Sequence, residues 1–227
     1  MKINFPEPIN SLVGEIENKA ITNFYGAPGT GKTNFCLLAA LDCINKGGRV
    51  IYVDTEGGLS VERLKQLSPN YEKILESMEI MEPKTFTNQG KIIRGLEDKE
   101  ADMVIVDSMV ALYRLEYSED KKELMERMEP VRELSKQLSI LSNIARSKNI
   151  PIIITSHMFR DWDSKTPDVV GGDLMKYWSK TLIYLERTNK MSERKATIIK
   201  HRFAPEGGNV KFMIVKEGIK PSGFRIF

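Results

Sequence analysis

The sequence predicts an α/β fold in which a mostly parallel central sheet is flanked by helices and continues into a C-terminal antiparallel β-meander. Three observations support this prediction. Apolar runs typical of buried parallel strands recur along the chain, and two of them end in Asp54 and Asp107. Helical patterns lie between these runs, as in βαβ units. From Thr181 onward, short alternating segments are separated by turns that contain glycine or proline, which is typical of antiparallel strands.

A glycine-rich stretch follows the apolar run Ala20–Tyr25 and opens a helical pattern over Lys32–Asn45. It matches G-x-x-x-x-G-K-[ST] at each fixed position, in the strand-then-helix context that the motif requires. Its glycines let successive backbone N–H groups face phosphate oxygens, and the helix N-terminus adds donors and partial positive charge. Lys32 is expected to reach the β- and γ-phosphates of a nucleoside triphosphate, and Thr33 is expected to hold Mg²⁺. The residues of this stretch predicted to bind ATP are Gly26, Ala27, Pro28, Gly29, Thr30, Gly31, Lys32, Thr33 and Asn34.

Composition limits the class of protein. The 227 residues suit one α/β domain, expected to span 1–227, and a low glutamine count against many Lys and Glu suggests a thermophilic source. With a net charge of +3, any nucleic-acid binding depends on local basic clusters. Cys36 and Cys43 are expected to be reduced thiols in a cytoplasmic protein, and no apolar run is long enough for a membrane span.

The next elements alternate between strands and helices. Arg49–Asp54 predicts a buried strand, Ile74–Met81 a further strand, and Thr85–Leu96 a helix. The apolar run within Ala101–Ser108 predicts a strand terminated by Asp107, a Walker B pattern in which the carboxylate orients the Mg²⁺ shell. Asp102 precedes that strand, so it is expected at the wrong end of the sheet to compete for this role.

The second half of the chain predicts a long helical region and the meander. Residues 119–148 have apolar side chains at helical spacing, and Pro130 is expected to begin a second helix there. Ile150–Ser156 predicts a buried strand that leads to His157. The four strands predicted for the meander are Thr181–Glu186, Ala196–Lys200, Val210–Val215 and Phe224–Phe227.

Glu56 stands just beyond the strand that ends at Asp54. If that strand neighbours the one before the phosphate loop, Glu56 lies near the γ-phosphate, where a hydrolase needs a group to orient or deprotonate water. The residues themselves leave a solvated loop glutamate as an equal alternative.

Basic residues gather around Lys200-His201-Arg202, with Arg187, Lys190, Arg194 and Lys195 upstream. A solvated basic hairpin, contacts to a nucleic-acid backbone, and a finger of Lys200 and Arg202 acting in trans on a neighbouring subunit's γ-phosphate are all compatible with this pattern. Ser156 and His157 do not form a nucleophilic pair, because adjacent residues of a strand point to opposite faces.

These segments together resemble the RecA/RadA recombinase superfamily, in an order and spacing that extend over nearly the whole chain. The matching segments are Gly26–Thr33, Tyr52–Gly57 with Glu62-Arg63, Ile105–Ser108 with Ala111–Tyr117, Thr155–His157 and Gly171-Gly172. The resemblance implies a RecA-like phosphate-loop NTPase core.

The resemblance also implies roles for individual residues. Glu56 is similar to the water-activating glutamate, and Arg63 to the residue that packs on adenine. His157 occupies the position of the switch that senses the γ-phosphate and relays to the second DNA loop, here 158–170, while 113–121 match the first DNA loop. The DNA contacts expected in these loops are Arg114, Arg160 and Lys165.

Within the superfamily the sequence is similar to RadB, the short archaeal paralogues of RadA. Little precedes the phosphate loop, so the N-terminal DNA-binding domain and linker of RadA are expected to be absent. His157 follows Ser156 where recombinases usually have Gln after Asn, and the second DNA loop is short and not basic. The resemblance implies a core that binds ATP and DNA, hydrolyses ATP weakly and assists recombination without exchanging strands itself.

The implied partners are single-stranded or branched DNA, a RadA-type recombinase or a junction nuclease, and further copies of the chain. Three other functions fit parts of the sequence. They are a DNA-stimulated strand-exchange ATPase, a KaiC-type ring ATPase that does not act on DNA, and a small-molecule phosphotransferase. The last would need a lid of arginines over the phosphates, and the sequence identifies none.

Overall fold

The computed structural model describes the backbone of residues 1–116, 124–160 and 167–223, with the side chains of all these residues except 124–127 and 160. The strands, in chain order, are β1 (Ile3–Asn4), β2 (Glu15–Ile16), β3 (Ile21–Gly26), β4 (Val50–Asp54), β5 (Met78–Met81), β6 (Met103–Asp107), β7 (Ile152–Ser156), β8 (Met158–Arg160), β9 (Pro167–Val169), β10 (Thr181–Arg187), β11 (Glu193–Lys200), β12 (Asn209–Val215) and β13 (Gly218–Pro221). The helices are α1 (Ile9–Val13), α2 (Lys32–Asn45), α3 (Val61–Leu67), α4 (Tyr71–Glu76), α5 (Phe86–Gly95) with a 3₁₀ turn over Leu96–Asp98, α6 (Ala111–Glu116), α7 (Leu124–Lys148) and α8 (Gly172–Trp178).

Nine strands form the central sheet, in the order β13-β12-β11-β10-β3-β7-β6-β4-β5. The six strands from β10 to β5 pair in parallel, whereas β11, β12 and β13 continue from β10 as an antiparallel meander. The predicted fold class is therefore confirmed, and β10 belongs to both parts of the sheet.

Two apolar cores cover the two faces of this sheet. Because alternate strand residues point to opposite faces, Phe24 and Tyr52 join the core beneath α2, while Tyr25 and Val53 join the core beneath α5 and α7. The rings of Phe24 and Phe35 stack with centroids 4.9 Å apart, which fixes α2 against β3 directly behind the phosphate loop.

The predicted helix Lys32–Asn45 has the predicted bounds, and Thr85 caps α5 by accepting a hydrogen bond from the N–H of Asn88. The prediction that Pro130 begins a second helix is wrong, because Pro130 lies inside the continuous helix α7. A proline ring removes one helical hydrogen bond, and the buried stripe Leu134, Leu138 and Leu141 offsets that cost.

Two strand predictions also differ from the structure. The segment predicted as one strand over Ile74–Met81 divides into the end of α4 and the shorter β5, since Ser77 ends the helix. The fourth meander strand is β13, and the predicted strand Phe224–Phe227 lies outside the described residues. No helix in the described part of the chain is long and apolar enough to cross a membrane.

The strand order decides which side chains can meet. The strands β3, β4, β6 and β7 end at the same edge of the sheet, because they are parallel. The condition under which Glu56 was placed near the γ-phosphate, that β4 neighbours β3, is not met, since β7 and β6 lie between them. A residue after β4 therefore reaches the phosphate loop only if its own loop bends back over the strand ends.

Candidate functional site

The phosphate loop connects β3 to α2 and is held by its own side chains. Gly29 and Gly31 have φ values of 73° and 102°, which glycine adopts without strain. The hydroxyl of Thr30 donates to the carbonyl of Ala27 at 2.8 Å. The ammonium group of Lys32 donates to the carbonyls of Gly26 and Ala27, at 3.0 Å and 3.2 Å.

Lys32 is buried beneath this loop, with 9% of its surface exposed. Burial lowers the pKa of Lys32, while the carboxylates of Glu56 and Asp107 act in the opposite direction. The two carboxylates therefore help to keep the ammonium group charged inside the site, where it can face a phosphate.

Asp107 ends β6 next to the start of α2 and is almost fully buried. Its carboxylate accepts hydrogen bonds from the hydroxyls of Thr155 at 2.5 Å and Tyr52 at 2.9 Å. Burial raises the pKa of Asp107, while bonds from Thr155, Thr33 and Tyr52 lower it. The contact with Thr33 brings together the two oxygens predicted to hold Mg²⁺.

The loop after β4 is folded by Asp54. One carboxylate oxygen of Asp54 accepts from the N–H groups of Glu56, Gly57 and Gly58, at 2.9–3.2 Å, and the other accepts from Leu59 at 2.9 Å. Four backbone donors on one carboxylate bend the loop back over the end of its strand. The strand pattern alone indicated only that Asp54 ends a buried strand.

The hydroxyl of Thr55 ties the same loop to the next strand. It donates to the carbonyl of Ser108 and accepts from the N–H of Ser108, both at 2.8 Å. This double contact anchors the loop of Glu56 to the end of β6, beside Asp107.

The bent loop brings Glu56 to His157, the residue that follows β7. Oε1 of Glu56 lies 2.6 Å from Nε2 of His157. The hydrogen bond from His157 is the main cause that lowers the pKa of Glu56, and the charges of His157 and Lys32 contribute in the same direction. Glu56 is therefore held as a carboxylate.

Eight of the predicted site residues line one cavity of about 250 Å³: Pro28, Gly29 and Gly31 of the loop, with Lys32, Thr33, Glu56, Asp107 and His157. In the part of the chain that the structure describes, no cluster of three or more His, Cys, Asp or Glu residues could hold a metal ion. The donor set nevertheless suits Mg²⁺, which is commonly bound through one or two protein oxygens together with phosphate and water.

The structure agrees with the expectations for Asp102 and Ser156. Asp102 accepts from the N–H of Arg49 at the opposite edge of the sheet. The hydroxyl of Ser156 is buried and contacts Oδ1 of Asn23 at 3.1 Å. A nucleophilic pair of Ser156 and His157 is thus incompatible with the geometry.

Arg63 lies on α3 beside the first turn of α2. Its guanidinium donates to Oδ1 of Asn34, at 2.6 Å and 3.1 Å, and to the carbonyls of Val215 and Lys216, both at 3.0 Å. The side chain of Asn34, predicted to bind nucleotide, is thus engaged with the arginine predicted to pack on adenine.

Lys200 and Arg202 lie at the edge of the sheet opposite the phosphate loop, because β11 runs antiparallel to β10. They do not share a strand face as expected, since β11 ends at Lys200. Lys200 donates to the carbonyl of Lys176 at 2.6 Å, and Arg202 forms an ion pair with Glu17. Neither side chain can reach the phosphate loop of its own chain.

The three expected DNA contacts are only partly described. Arg114 is exposed on α6. The side chain of Arg160 and all of Lys165 lie outside the described residues, as do 117–121 of the first predicted DNA loop. Within that loop Tyr113 is buried and packs against Phe86, with ring centroids 5.7 Å apart.

Sequence reasoning did not assign several residues to this site, although they shape it. Tyr52 and Thr155 hold Asp107, Asp54 folds the loop of Glu56, and Arg187 and Arg194 contact the phosphate loop. Residue spacing within one segment does not identify them, because the contacts depend on strand order.

Comparisons with known proteins match almost the whole chain. A family model described as Rad51 matches residues 8–222. The "DNA repair and recombination protein RadB" of Methanococcus maripaludis (strain C7) is 43% identical over 211 residues, covering 92% of this chain and 95% of the relative. The protein of the same description from Methanocaldococcus jannaschii is 40% identical over 215 residues, covering 92% and 96%. A solved structure described as the "RadB recombinase" superposes with a TM-score of 0.79 at 34% identity, covering 94% of this chain and 96% of that one.

Proposed function

Because the chain belongs to the Rad51 family and, within it, to the RadB proteins, we propose that it is an accessory factor of homologous recombination and DNA repair. In this proposal it binds ATP and Mg²⁺, hydrolyses ATP weakly, binds DNA and does not exchange strands itself. Its 227 residues act as a single RecA-like core domain in the cytoplasm.

One observation carries the nucleotide part of this proposal. Lys32, Thr33, Glu56, Asp107 and His157 come from four separate segments of the chain, yet they line a single cavity. A phosphate-loop lysine, two oxygens suited to Mg²⁺ and a carboxylate beside them are the groups that phosphoryl transfer to water requires.

Each residue has a separate task. The N–H groups of the loop bind phosphate oxygens, and Lys32 supplies a positive charge to them. Thr33 and Asp107 would hold Mg²⁺, and an ion bound there would neutralise phosphate charge. Glu56 orients the attacking water and accepts its proton at a carboxylate oxygen.

The contact between Glu56 and His157 supports slow turnover. A carboxylate with a lowered pKa is a weaker base, and the hydrogen bond from His157 occupies one of its oxygens. Proton transfer from water is then less favourable. Hydrolysis that is slow relative to nucleotide binding suits a protein that uses ATP as a switch.

His157 also connects the cavity to the segment proposed to bind DNA. It immediately precedes β8, which pairs with β9 in a short antiparallel ribbon, and its carbonyl accepts from the N–H of Val170. Movement of His157 toward or away from Glu56 would shift this ribbon. Phe159, which is 46% exposed on β8, is available there to stack on a base.

We propose single-stranded or branched DNA as the ligand, with contacts from Arg114, Arg160 and Lys165. A RadA-type recombinase or a junction nuclease is the proposed protein partner. Further copies of the chain are proposed as partners in which Lys200 and Arg202 act in trans, which requires them to leave their contacts with Lys176 and Glu17.

ATP turnover with and without single-stranded DNA, combined with a gel shift in the same samples, tests the proposal. Slow turnover that DNA leaves unchanged, with nucleotide-sensitive DNA retention, is expected. A large stimulation by DNA would favour an active recombinase instead. Nucleotide binding without any DNA retention at low salt would favour a KaiC-type ring ATPase.

A further inference from the structure

Two arginines outside the phosphate-loop motif contact the loop from the hairpin formed by β10 and β11. Nη2 of Arg187 donates to the carbonyl of Pro28 at 3.3 Å, and Nε of Arg194 donates to the carbonyl of Gly29 at 3.1 Å. We propose that Arg187 and Arg194 are positioning residues that brace the phosphate loop from outside and raise its affinity for a nucleoside triphosphate. This inference rests on the proposed function, in which the loop binds ATP.

The backbone of the loop explains why a brace is useful. A loop that directs successive N–H groups toward phosphates turns its carbonyls away from them. Lys32 donates to the carbonyls of Gly26 and Ala27, and the two arginines donate to the next two carbonyls. Four consecutive carbonyls therefore accept hydrogen bonds from cationic side chains, which holds the N–H groups in one orientation.

The position of the arginines is unfavourable for the hairpin itself. Arg187 and Arg194 are directly opposite each other in the register of β10 and β11, and like charges in such pairs destabilise a sheet. The neighbouring pair, Glu186 and Lys195, has opposite charges and an ion pair of 3.2 Å. Stability of the hairpin therefore does not account for two arginines at the end nearest the phosphate loop.

The charges of the two guanidinium groups are not neutralised by a carboxylate in the described part of the chain. In the described part of the chain neither forms an ion pair, although carboxylates lie on the same hairpin. The carboxylate of Glu193 accepts hydrogen bonds from the hydroxyls of Thr188 and Ser222 and lies 4.0 Å from the ammonium group of Lys190. Arg194 donates to the backbone carbonyl of Glu193 and not to its carboxylate. Two unneutralised cations beside the loop create a positive potential for a polyanion.

The close approach also involves the central glycine of the loop. A Cβ added to Gly29 would meet Nη2 of Arg187, so the guanidinium lies directly against the loop backbone. Gly29 thus meets two requirements at once, a left-handed φ of 73° and room for the arginine.

The test is calorimetric titration of the full chain with Mg·ATP. The variant that combines Arg187→Gln and Arg194→Gln removes both charges and both guanidinium donors, and we expect its affinity to fall about tenfold. A variant with Arg187→Lys and Arg194→Lys keeps the charge and one donor group at each position. It is expected to recover most of the affinity, which a general loss of folding would not allow.

A matched control combines Lys190→Gln with Lys195→Gln, which removes two positive charges from the same hairpin without touching the loop. Its affinity is expected to stay within about threefold of the wild type. An equal loss of affinity in this control, or undiminished affinity in the double glutamine variant, would overturn the proposed role of Arg187 and Arg194. Neither result would contradict the proposal that the chain binds ATP. A wild-type chain that does not bind Mg·ATP would overturn the proposed function as well.

Discussion

Oε1 of Glu56 and Nε2 of His157 lie 2.6 Å apart although 101 positions separate the two residues in the chain. The contact exists because Asp54 bends one loop over the ends of β6 and β7, where the other residue begins the next segment. A carboxylate proposed to activate water is thus tied to a histidine that leads into the segment proposed to bind DNA.

The first prediction concerns the pH dependence of turnover. The hydrogen bond from His157 lowers the pKa of Glu56, so His157→Ala is expected to raise this pKa. Turnover that needs ionised Glu56 falls as the pH drops through the pKa, so the acidic limb of kcat/KM for ATP should lie at higher pH in the variant than in the wild type. Measuring kcat/KM for ATP in both proteins between about pH 4 and 8 tests this prediction. Acidic limbs that coincide would contradict the assigned role of the pair.

The second prediction separates binding from chemistry at Glu56. Glu56→Gln keeps the size of the side chain and removes its basic oxygen, so turnover is expected to fall by about 100-fold or more. Affinity for Mg·ATP should change little, because the proposed phosphate contacts come from the loop and Lys32. Single-turnover kinetics and calorimetry measure the two quantities on one preparation. Equal losses of affinity and rate would place Glu56 in binding instead.

The third prediction concerns the buried carboxylate of Asp107. Burial raises its pKa, so the ionised form is disfavoured in the folded chain and opposes folding at pH values above the unfolded pKa. Asp107→Asn is therefore expected to raise the thermal midpoint without nucleotide by roughly 2–4 °C, as about 1 kcal/mol does in a chain of this size. The same change should weaken the Mg²⁺ dependence of nucleotide binding. A lower midpoint would show that the bonds from Thr155 and Tyr52 outweigh the cost of burial.

The fourth prediction concerns the loop that carries Glu56. Asp54→Asn turns an amide group toward backbone N–H donors, so residues 56–59 should lose protection from hydrogen exchange. Turnover is expected to fall about tenfold while affinity for nucleotide stays within about threefold, because the phosphate loop is unchanged. Asp102→Asn is the matched control, since Asp102 also accepts a backbone N–H at a strand end but at the opposite edge. A similar loss of turnover in this control would indicate a general effect on the sheet.

Local patterns predicted much of this architecture. The strand, glycine-rich turn and helix around Gly26–Thr33 and the buried strand that ends in Asp107 have the predicted types and positions. The errors lie where a local preference was overridden, as at Pro130, whose ring is accommodated inside α7 by the packing of the apolar stripe.

The sequence by itself determined the phosphate-loop motif and the class of the sheet. It also identified Lys32, Thr33 and Asp107 as candidate site residues, because these features depend on spacing within one segment. Tertiary structure decided which distant groups meet. The order β3-β7-β6-β4 places two strands between the phosphate loop and the strand before Glu56. Only the folded loop, held by the carboxylate of Asp54, brings Glu56 to His157. The same holds for Arg187 and Arg194, which contact the phosphate loop because β10 pairs in parallel with β3. Strand order arises from the packing of the whole chain, so no single segment contains that information.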